Sequence, residues 1–406
     1  MLHQHYVIMK KAPFIFWLAS WYPTRLDPFP GDFIQRHAKA LALYHPVHVL
    51  HIAKDEKGEI TKDILVEETT TGNLHETIIY YHPLKTGWRL PDRMISTQKF
   101  LSVGKKFIKQ IAAKHSPMLM HVHVAMRHGL LAHWAKRKLR IKYVITEHWT
   151  GYDRSTHPEH LRPSKWFWVA TKKIFKQASY FYPEVKTMGE LINKTITNIP
   201  YKPVSNSVDT ALFYPAPVKN SVSGTFHFVH VSTLSYQKNI EGLLRVIEQC
   251  AMHNKAIHFT LVGPASDDII GQINSSTLLS AAVTLTGAMP YHLVAEQMRK
   301  ADALVMFSRY ENQPCVILEA LCCGLPVIST NVGGIAEVIN TTNGMLIESE
   351  NEAELYSAIN NMVVGYNEFD TASISAKAMD AYSYETTGKQ IIEYYQQDMP
   401  ELFRGT

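Results

Sequence analysis

One stretch of the chain, residues 303–339, most constrains the fold. It reads ALVMFSRYENQPCVILEALCCGLPVISTNVGGIAEVI. An apolar strand pattern at 303–307 precedes a polar loop at 308–313, and after a short apolar helix a second strand pattern covers 325–329. This order predicts a β-α-β unit of a parallel sheet. Ligands bind such sheets outside the carboxyl ends of the strands, so we expect the loop to face a ligand.

The predicted helix, residues 315–323, has chemically defined ends. Pro314 suits the first position of a helix, and Gly324 suits the left-handed residue that follows a helix end. Pro326 prevents the helix from continuing. The helix between these residues is therefore short and almost entirely apolar.

Two glutamates mark this unit as a candidate site. Glu319 is the one charged residue of the helix, and a buried carboxylate is costly unless something hydrogen-bonds to it. Glu311 lies eight residues earlier, in the loop. Asn312, Gln313 and Pro314 then lead into the helix N-terminus. Unpaired backbone N–H groups and a positive dipole end make such a place suitable for a phosphate or for sugar hydroxyls.

The ordered string from Glu311 to Val338 resembles the donor-binding signature of glycosyltransferase family 4, the glycogen synthase-like or group 1 enzymes. Two glutamates at this spacing occur in most proteins, so the resemblance depends on the whole string, including CGLPV and NVGGIAEV. Members of the family are retaining glycosyltransferases with the GT-B fold. The resemblance implies an α/β chain of two doubly wound Rossmann-like domains that face each other across a cleft.

Alternating strand and helix patterns in two sets also predict two doubly wound sheets. The family's junction signature matches NSVD at 206–209. We therefore expect an N-terminal, acceptor-side domain at residues 1–205 and a nucleotide-sugar donor-binding domain at 206–385. The C-terminal helix, 386–406, is expected to cross back to the first domain, and a Pro/Ser/Gly-rich linker is predicted at 214–224.

The resemblance assigns roles to residues of the second domain. Glu319 is expected to hold the ribose hydroxyls, Glu311 to act near the donor sugar, and Lys238 to neutralise the leaving diphosphate. Relatives carry an arginine where this chain has Thr233. Backbone N–H groups and helix dipoles must then supply the missing charge, or the donor binds more weakly. The turn that contains Met289 matches the one that holds the nucleotide base.

In the first domain, the resemblance points to His148 and Gly31. His148 ends a strand pattern and is expected to contact the donor sugar, although a structural histidine is the alternative. Gly31 matches a glycine of the loop that faces the donor phosphate and the acceptor. His121 and His123 share one face of a strand, a spacing that suits a metal, but no Cys, Asp or Glu is close in sequence. We therefore expect no metal site.

The expected reaction is transfer of a sugar from a UDP- or GDP-sugar to a glycan or lipid-linked acceptor, with retention, as in cell-surface polysaccharide or glycolipid synthesis. The nucleotide-sugar is a co-substrate, and no fixed metal or other cofactor is expected. A nucleotide-sugar epimerase on the same fold is one alternative, but only Glu147 stands out as a further loop carboxylate. A non-catalytic nucleotide-sugar-binding partner subunit is the other, motivated by Thr233 and by Pro183, which interrupts a family motif.

Charge is distributed unevenly along the chain. The net charge is +5, but residues 1–200 contain 30 Lys+Arg and 15 Asp+Glu, whereas residues 201–406 contain 11 and 21. A basic amphipathic helix pattern at 99–114, a basic run at 136–140 and the pair Trp166 and Trp168 lie in the basic half. These features predict docking on an anionic membrane surface, the alternative being scattered surface charge with the aromatic residues in the core. No recognition motif accompanies the charge, so nucleic acid is not an expected partner.

The expected location is the cytoplasm, with peripheral attachment to the inner face of the membrane. The four cysteines show no spacing typical of a disulfide framework, which fits a reducing compartment. No apolar run approaches the roughly 18 residues of a spanning helix. The stretch from Met9 loosely imitates a signal peptide, but its apolar part, residues 14–19, is needed as the first strand of the sheet.

Overall fold

The computed structural model describes residues 13–83, 87–153, 163–216 and 224–404. The residues from Met9 to Ala12 and the centre of the predicted linker lie outside these ranges.

The first sheet contains six strands. They are β1 Phe14–Ala19, β2 Val47–Lys54, β3 Ile64–Thr71, β4 Leu74–Tyr81, β5 Pro117–His123 and β6 Tyr143–Thr146. Their order is β3-β4-β2-β1-β5-β6, and every neighbouring pair is parallel except the β3–β4 hairpin. The central strand β1 is buried along its whole length, as expected for a parallel strand covered on both faces.

Within the described residues of this half, five helices pack around the sheet. They are α1 Asp32–Ala42, α2 Arg89–Lys114, α3 His128–Leu139, α4 Lys165–Gln177 and α5 Lys186–Thr195. Helix α2 begins ten residues before the basic helix predicted from the sequence. Among the helices of the described residues, none is both long and apolar enough to cross a membrane.

Residues 179–182 follow β6 and form no named strand of this sheet. Only isolated bridges form there, from Phe181 to Ile145 and to Tyr201. Pro183 follows directly and has no backbone N–H to donate to a ladder, which limits the pairing.

The second sheet also contains six strands, all parallel. They are β7 Phe226–Val231, β8 Ile257–Val262, β9 Val283–Gly287, β10 Ala303–Met306, β11 Val327–Thr330 and β12 Gly344–Ile347. Their order is β12-β11-β10-β7-β8-β9, so the winding direction reverses between β7 and β10. In the first sheet the corresponding reversal lies between β1 and β5. The structure thus confirms the predicted α/β architecture with two doubly wound sheets, and the loops at the two reversal points are where ligands bind in such folds.

Nine helices belong to the described C-terminal half. They are α6 Ile240–His253, α7 Asp267–Ser275, α8 Thr277–Ala282, α9 Tyr291–Lys300, α10 Cys315–Cys322, α11 Glu352–Gly365, α12 Thr371–Tyr382, α13 Tyr384–Asp398 and α14 Pro400–Phe403. Helix α13 leaves the second domain and packs against α1 of the first. There the Tyr44 hydroxyl donates to the carbonyl of Glu385 at 2.9 Å. Tyr395 is fully buried and its hydroxyl contacts His121.

One detail at the start of α10 differs from the prediction. Pro314 is the residue before the helix, with extended backbone, and not its first helical residue. After β11, residues Ile335–Glu337 form a short 3₁₀ turn. The Glu337 carboxylate accepts the backbone N–H groups of Lys186 and Thr187, both at 2.8 Å, and so caps α5 of the other domain. By contrast, Gly324 has the predicted left-handed backbone, with φ of 79°.

Candidate active site

The loop after β10, at the reversal point of the second sheet, contacts the loop after β6 of the first domain across the domain interface. Asn312 donates through Nδ2 to the backbone carbonyl of His148 at 2.7 Å. Gln313 accepts through Oε1 from the Ser205 hydroxyl at 2.8 Å and from the Asn206 backbone N–H at 2.7 Å. The predicted site residues on both domains therefore meet at one interface. The Oε1 atom of Gln313 is therefore occupied by hydrogen bonds within this interface.

Glu319 is paired with an arginine of the other domain. The Arg36 Nη1 atom lies 2.6 Å from Glu319 Oε1, and the two side chains are only 7% and 4% exposed. Burial raises the pKa of Glu319, while the positive charge of Arg36 opposes that rise. The sequence predicted that a carboxylate on this apolar helix needs a partner. It did not identify Arg36 as that partner.

Arg36 is itself held by two further contacts, whose partners also bond each other. Its Nη2 atom lies 3.0 Å from the carboxylate of Asp32, one turn earlier on α1. Its guanidinium stacks over the ring of Tyr291, with 4.5 Å between the guanidinium carbon and the ring centroid. The Tyr291 hydroxyl donates to Asp32. Burial alone would lower the pKa of Arg36, but Glu319, Tyr291 and Asp32 hold it well above its usual value.

Lys238 and Glu311 form a second ion pair, between the loops that follow β7 and β10. Their side chains are 14% and 7% exposed. Gln237 donates through Nε2 to the carbonyl of Tyr310 at 2.9 Å and fixes one loop on the other. Two residues that the sequence assigned to the diphosphate and the sugar are therefore in direct contact.

Arg309 braces the same two loops. It bonds Glu241 at 2.6 Å, Glu350 at 2.8 Å and the carbonyl of Tyr236 at 2.5 Å. With two carboxylates as partners, its charge is already neutralised. Thr233, at the place of the family's arginine, is exposed and donates to the Ser235 hydroxyl at 3.2 Å.

Two glycines allow the loops to approach each other closely. Gly31 has φ of 75°, and a Cβ atom there would lie 2.3 Å from the backbone carbonyl carbon of Trp21. Gly333 has φ of 59°, and a Cβ atom there would lie 1.9 Å from the carbonyl oxygen of Glu311. Both positions require glycine because the backbone is left-handed and a neighbouring backbone fills the space.

His148 lies at the centre of the interface on the first-domain side. Its Nδ1 atom is bonded to the carboxylate of Glu184. Asn206 donates through Nδ2 to the same carboxylate oxygen at 2.9 Å. The ring packs at 4.6 Å between centroids against Phe33 of α1. Glu184 stands in the segment that departs from the family pattern, and no local signal in the sequence links it to His148.

The comparisons with known proteins agree with this geometry. The family model described as "Glycosyl transferases group 1" matches residues 217–378, which include the Lys238, Glu311 and Glu319 positions. The teichuronic acid biosynthesis glycosyltransferase TuaC of Bacillus subtilis is 25% identical over 364 residues, covering 85% of this chain and 88% of TuaC. The chain is thus a glycosyltransferase, and its residues 217–378 are similar to the group 1 family.

Solved structures show the same fold. Sucrose-phosphate synthase of Thermosynechococcus elongatus aligns with a TM-score of 0.78 at 16% identity, over 96% of this chain and 100% of that protein. HepE of Anabaena, solved in complex with UDP, aligns with a TM-score of 0.70 at 18% identity, over 95% and 100% of the two chains. The glycosyltransferase therefore has the GT-B fold.

Three histidines of the glycosyltransferase converge beside Glu184. Ring nitrogens of His37, His123 and His148 all lie within 4.8 Å of one another, and this set could hold a metal ion. Burial, the neighbouring His148 and Arg36 lower the pKa of His37 to about 3, so its imidazole is neutral at neutral pH. The set differs from the pair considered in the sequence, because His121 instead bonds Tyr395 and Thr146. The expectation that no metal takes part stays a prediction.

The Glu147 side chain accepts hydrogen bonds within the first domain. Its carboxylate accepts the Ala125 backbone N–H at 2.9 Å, the His148 and Trp149 backbone N–H groups at 3.0 Å each, and the Tyr152 hydroxyl at 2.7 Å. Burial raises its pKa, although these donors work in the opposite direction. The Glu147 carboxylate therefore holds the backbone at the end of β6 in place. This structural role accounts for the one loop carboxylate that suggested an epimerase.

Two further predicted contacts of the glycosyltransferase are hydrophobic. Pro314 is buried and has no backbone N–H to offer a ligand, so the first N–H group of the turn belongs to Cys315. Met289 is half-buried, and it packs against the apolar cluster beneath α9.

Proposed function

We propose that this glycosyltransferase moves a sugar from a UDP- or GDP-sugar to a glycan or lipid-linked acceptor, with retention at the anomeric carbon. The observation that carries the proposal is that the first domain contacts both glutamate-bearing segments: the His148 backbone bonds the loop of Glu311, and Arg36 pairs with Glu319. A uridine donor has additional support, since HepE was solved with UDP and with UDP-glucose.

In this proposal each residue has one task. Glu319 accepts hydrogen bonds from the ribose hydroxyls, and Lys238 neutralises the diphosphate as it leaves. Glu311 and His148 contact the donor sugar from opposite domains. Glu184 fixes the orientation of the His148 ring, in the manner in which a carboxylate orients an imidazole in other enzymes.

The transfer needs no protein nucleophile. The bond between the anomeric carbon and the diphosphate breaks, the acceptor oxygen forms its bond on the same face, and the leaving diphosphate takes the acceptor's proton. The protein then contributes position and charge stabilisation. No step of this scheme requires a metal ion, so we predict activity in the presence of a chelator.

A turnover assay tests the proposal. The purified protein is offered a panel of UDP- and GDP-sugars with cell-surface glycan and lipid-linked acceptors, and free nucleotide diphosphate is measured. We expect diphosphate release that depends on the acceptor and a product with the donor's anomeric configuration by NMR. An inverted product would refute retention. Binding of a donor without release of diphosphate would identify a non-catalytic nucleotide-sugar-binding subunit, and a change of the sugar on the intact donor would identify an epimerase.

We also propose that the first domain docks on the anionic inner face of the cytoplasmic membrane, where a lipid-linked acceptor would be found. Helices α2, α3 and α4 pack side by side, and α3 and α4 contain no Asp or Glu. We call their shared surface the basic face. Its exposed basic residues are Lys106, Lys109, Lys114, Arg137, Lys138, Lys165, Lys172, Lys173 and Lys176.

Exposed apolar side chains stand on the same surface. Trp166 is 54% exposed and Val169 is 67% exposed. Trp168, which the sequence grouped with Trp166 as a possible anchor, instead packs against the core of the first domain. Each basic residue near an anionic leaflet contributes about 1 kcal/mol, so a few of them suffice for reversible attachment.

Sedimentation with liposomes tests the docking proposal. We expect binding to vesicles that contain phosphatidylglycerol, loss of binding at high salt, and no binding to neutral phosphatidylcholine vesicles. The variant Lys172→Glu/Lys173→Glu should bind less, and Lys389→Glu, on α13, is the matched control. If the protein fails to bind anionic vesicles at low salt, the proposal is wrong.

A further inference from the structure

Arg36 is the buried cation to which the proposed mechanism gives no task. It reaches from α1 of the first domain onto the α10 face that carries Glu319, with 2.6 Å between Nη1 and Oε1. Glu319 lies about one turn after Cys315, the first residue of α10, so the guanidinium lies beside the N-terminal half of this helix.

The donor side of the cleft is short of positive charge. Thr233 stands where relatives have an arginine, and it only bonds Ser235. Lys238 is neutralised by Glu311. A diphosphate with two charged groups is usually held by more than one cation or by charge-assisted hydrogen bonds from several donors.

We propose that Arg36 is the second cation of the donor site and pairs with the donor's diphosphate while Glu319 holds the ribose, an inference that rests on the proposed function. A guanidinium has five N–H donors in a planar fork, and Glu319 at Nη1 and Asp32 at Nη2 do not use all of them, so N–H donors remain for a phosphate. Asp32 and the ring of Tyr291 fix the plane of that fork. Relatives carry the second positive charge on an arginine of the second domain. In this chain Arg36 of the first domain supplies that charge across the interface.

The position of Arg36 has a consequence for domain closure. The family's arginine belongs to the donor-binding domain, whereas Arg36 belongs to the acceptor-side domain. A diphosphate held by both Lys238 and Arg36 therefore bridges the two domains. Donor binding is then coupled to closure, because the second cation reaches the phosphates only when α1 lies against α10.

A purely structural role is the competing explanation, in which Arg36 only ties the domains together through Glu319. A series of ligands separates the two roles, because loss of a phosphate contact changes the Kd only of ligands that carry phosphate. Titration calorimetry with UDP, UMP and uridine, or with the guanosine series if GDP is the tighter ligand, supplies that series. The variants are Arg36→Ala and Arg36→Gln, checked by thermal melting, and Arg245→Ala is the control, because Arg245 forms an exposed pair with Glu352 at 2.6 Å.

We expect Arg36→Ala to raise the Kd for UDP by roughly 10- to 100-fold, as for loss of a charged hydrogen bond, and to leave the Kd for uridine unchanged. Arg36→Gln should behave in the same way, and Arg245→Ala should match the wild type. Thr233→Arg in the Arg36→Ala background should recover most of the UDP affinity, since it restores a cation from the second domain.

Other outcomes overturn the inference. Equal losses for UDP and uridine would show a structural tie, and tighter binding of either ligand would show that Arg36 competes for Glu319. If Lys238→Ala weakens UDP binding and Arg36→Ala does not, the proposed function stands and the role of Arg36 is wrong. If the wild-type protein binds neither UDP nor GDP, the proposed function fails first and the role of Arg36 with it.

Discussion

Glu319 shows how one long-range contact changes the expectation for a single substitution. From the sequence, a lone carboxylate on an apolar helix could be removed with little loss of stability. In the structure its removal would leave Arg36 buried with Asp32 as its remaining carboxylate partner. Breaking one side of a buried ion pair destabilises a protein, so alanine is a poor probe of the ribose contact.

We therefore predict that Glu319→Gln lowers kcat/KM by roughly 10- to 100-fold, because a charged acceptor of the ribose hydroxyls becomes neutral. Its thermal midpoint should fall, since the amide pairs less well with Arg36. The measurement is donor turnover together with a melting curve. Glu352→Gln, which weakens an exposed ion pair on α11, is the control and should keep full activity. A folded Glu319→Gln enzyme with normal turnover would show that this carboxylate does not contact the donor.

At the scale of elements, the loop between β7 and α6 carries the proposed diphosphate contact. It holds Lys238 against Glu311 of the loop that follows β10, at the reversal point of the sheet. We predict that Lys238→Ala raises the Kd of the donor by roughly tenfold or more, because a charge-assisted bond to the leaving group is lost. Thr233→Arg should lower that Kd. Calorimetric titration measures both.

Lys142→Ala is the matched control for this loop, because Lys142 forms an ion pair of similar length with Glu401 far from the loops in sequence. Its donor affinity should equal that of the wild type. Unchanged affinity in both Lys238→Ala and Thr233→Arg would mean that the diphosphate binds elsewhere.

At the scale of the whole molecule, α13 ties the second domain to the first. Gly388 of this helix lies directly on α1, and a Cβ atom there would sit 2.0 Å from the carbonyl oxygen of Ala40. We predict that Gly388→Ala destabilises the protein by about 1–3 kcal/mol, since the helices must move apart. Gly271→Ala is the control, because Gly271 in α7 has no atom within 4 Å of the added Cβ.

The control substitution should stabilise the chain by about 0.5–1 kcal/mol through helix propensity. Thermal melting of the two variants beside the wild type measures the difference. If Gly388→Ala melts at or above the wild-type temperature, the close packing of α13 on α1 is not maintained in solution.

The sequence by itself determined the two doubly wound sheets and the position of the cleft loops. Strand β1 has the bounds that its apolar pattern predicted, and Gly324 ends α10 as predicted. These features are local: hydrophobic periodicity and turn chemistry act over a few residues, so they can be read from neighbouring positions. Element ends were less predictable, as α2 shows, because packing on the sheet extends a helix beyond its strongest pattern.

Only the tertiary structure decided which side chains meet. Arg36 contacts Glu319 across 283 positions of the chain, and Glu184 reaches His148 across 36. His37 likewise joins His123 and His148 from a separate helix. Such pairs leave no local pattern, because a buried charge needs a partner but its sequence neighbourhood does not specify which one. The contact between α1 and α10 supplies Arg36 as the partner of Glu319. The same contact adds the positive charge of Arg36 to the cleft.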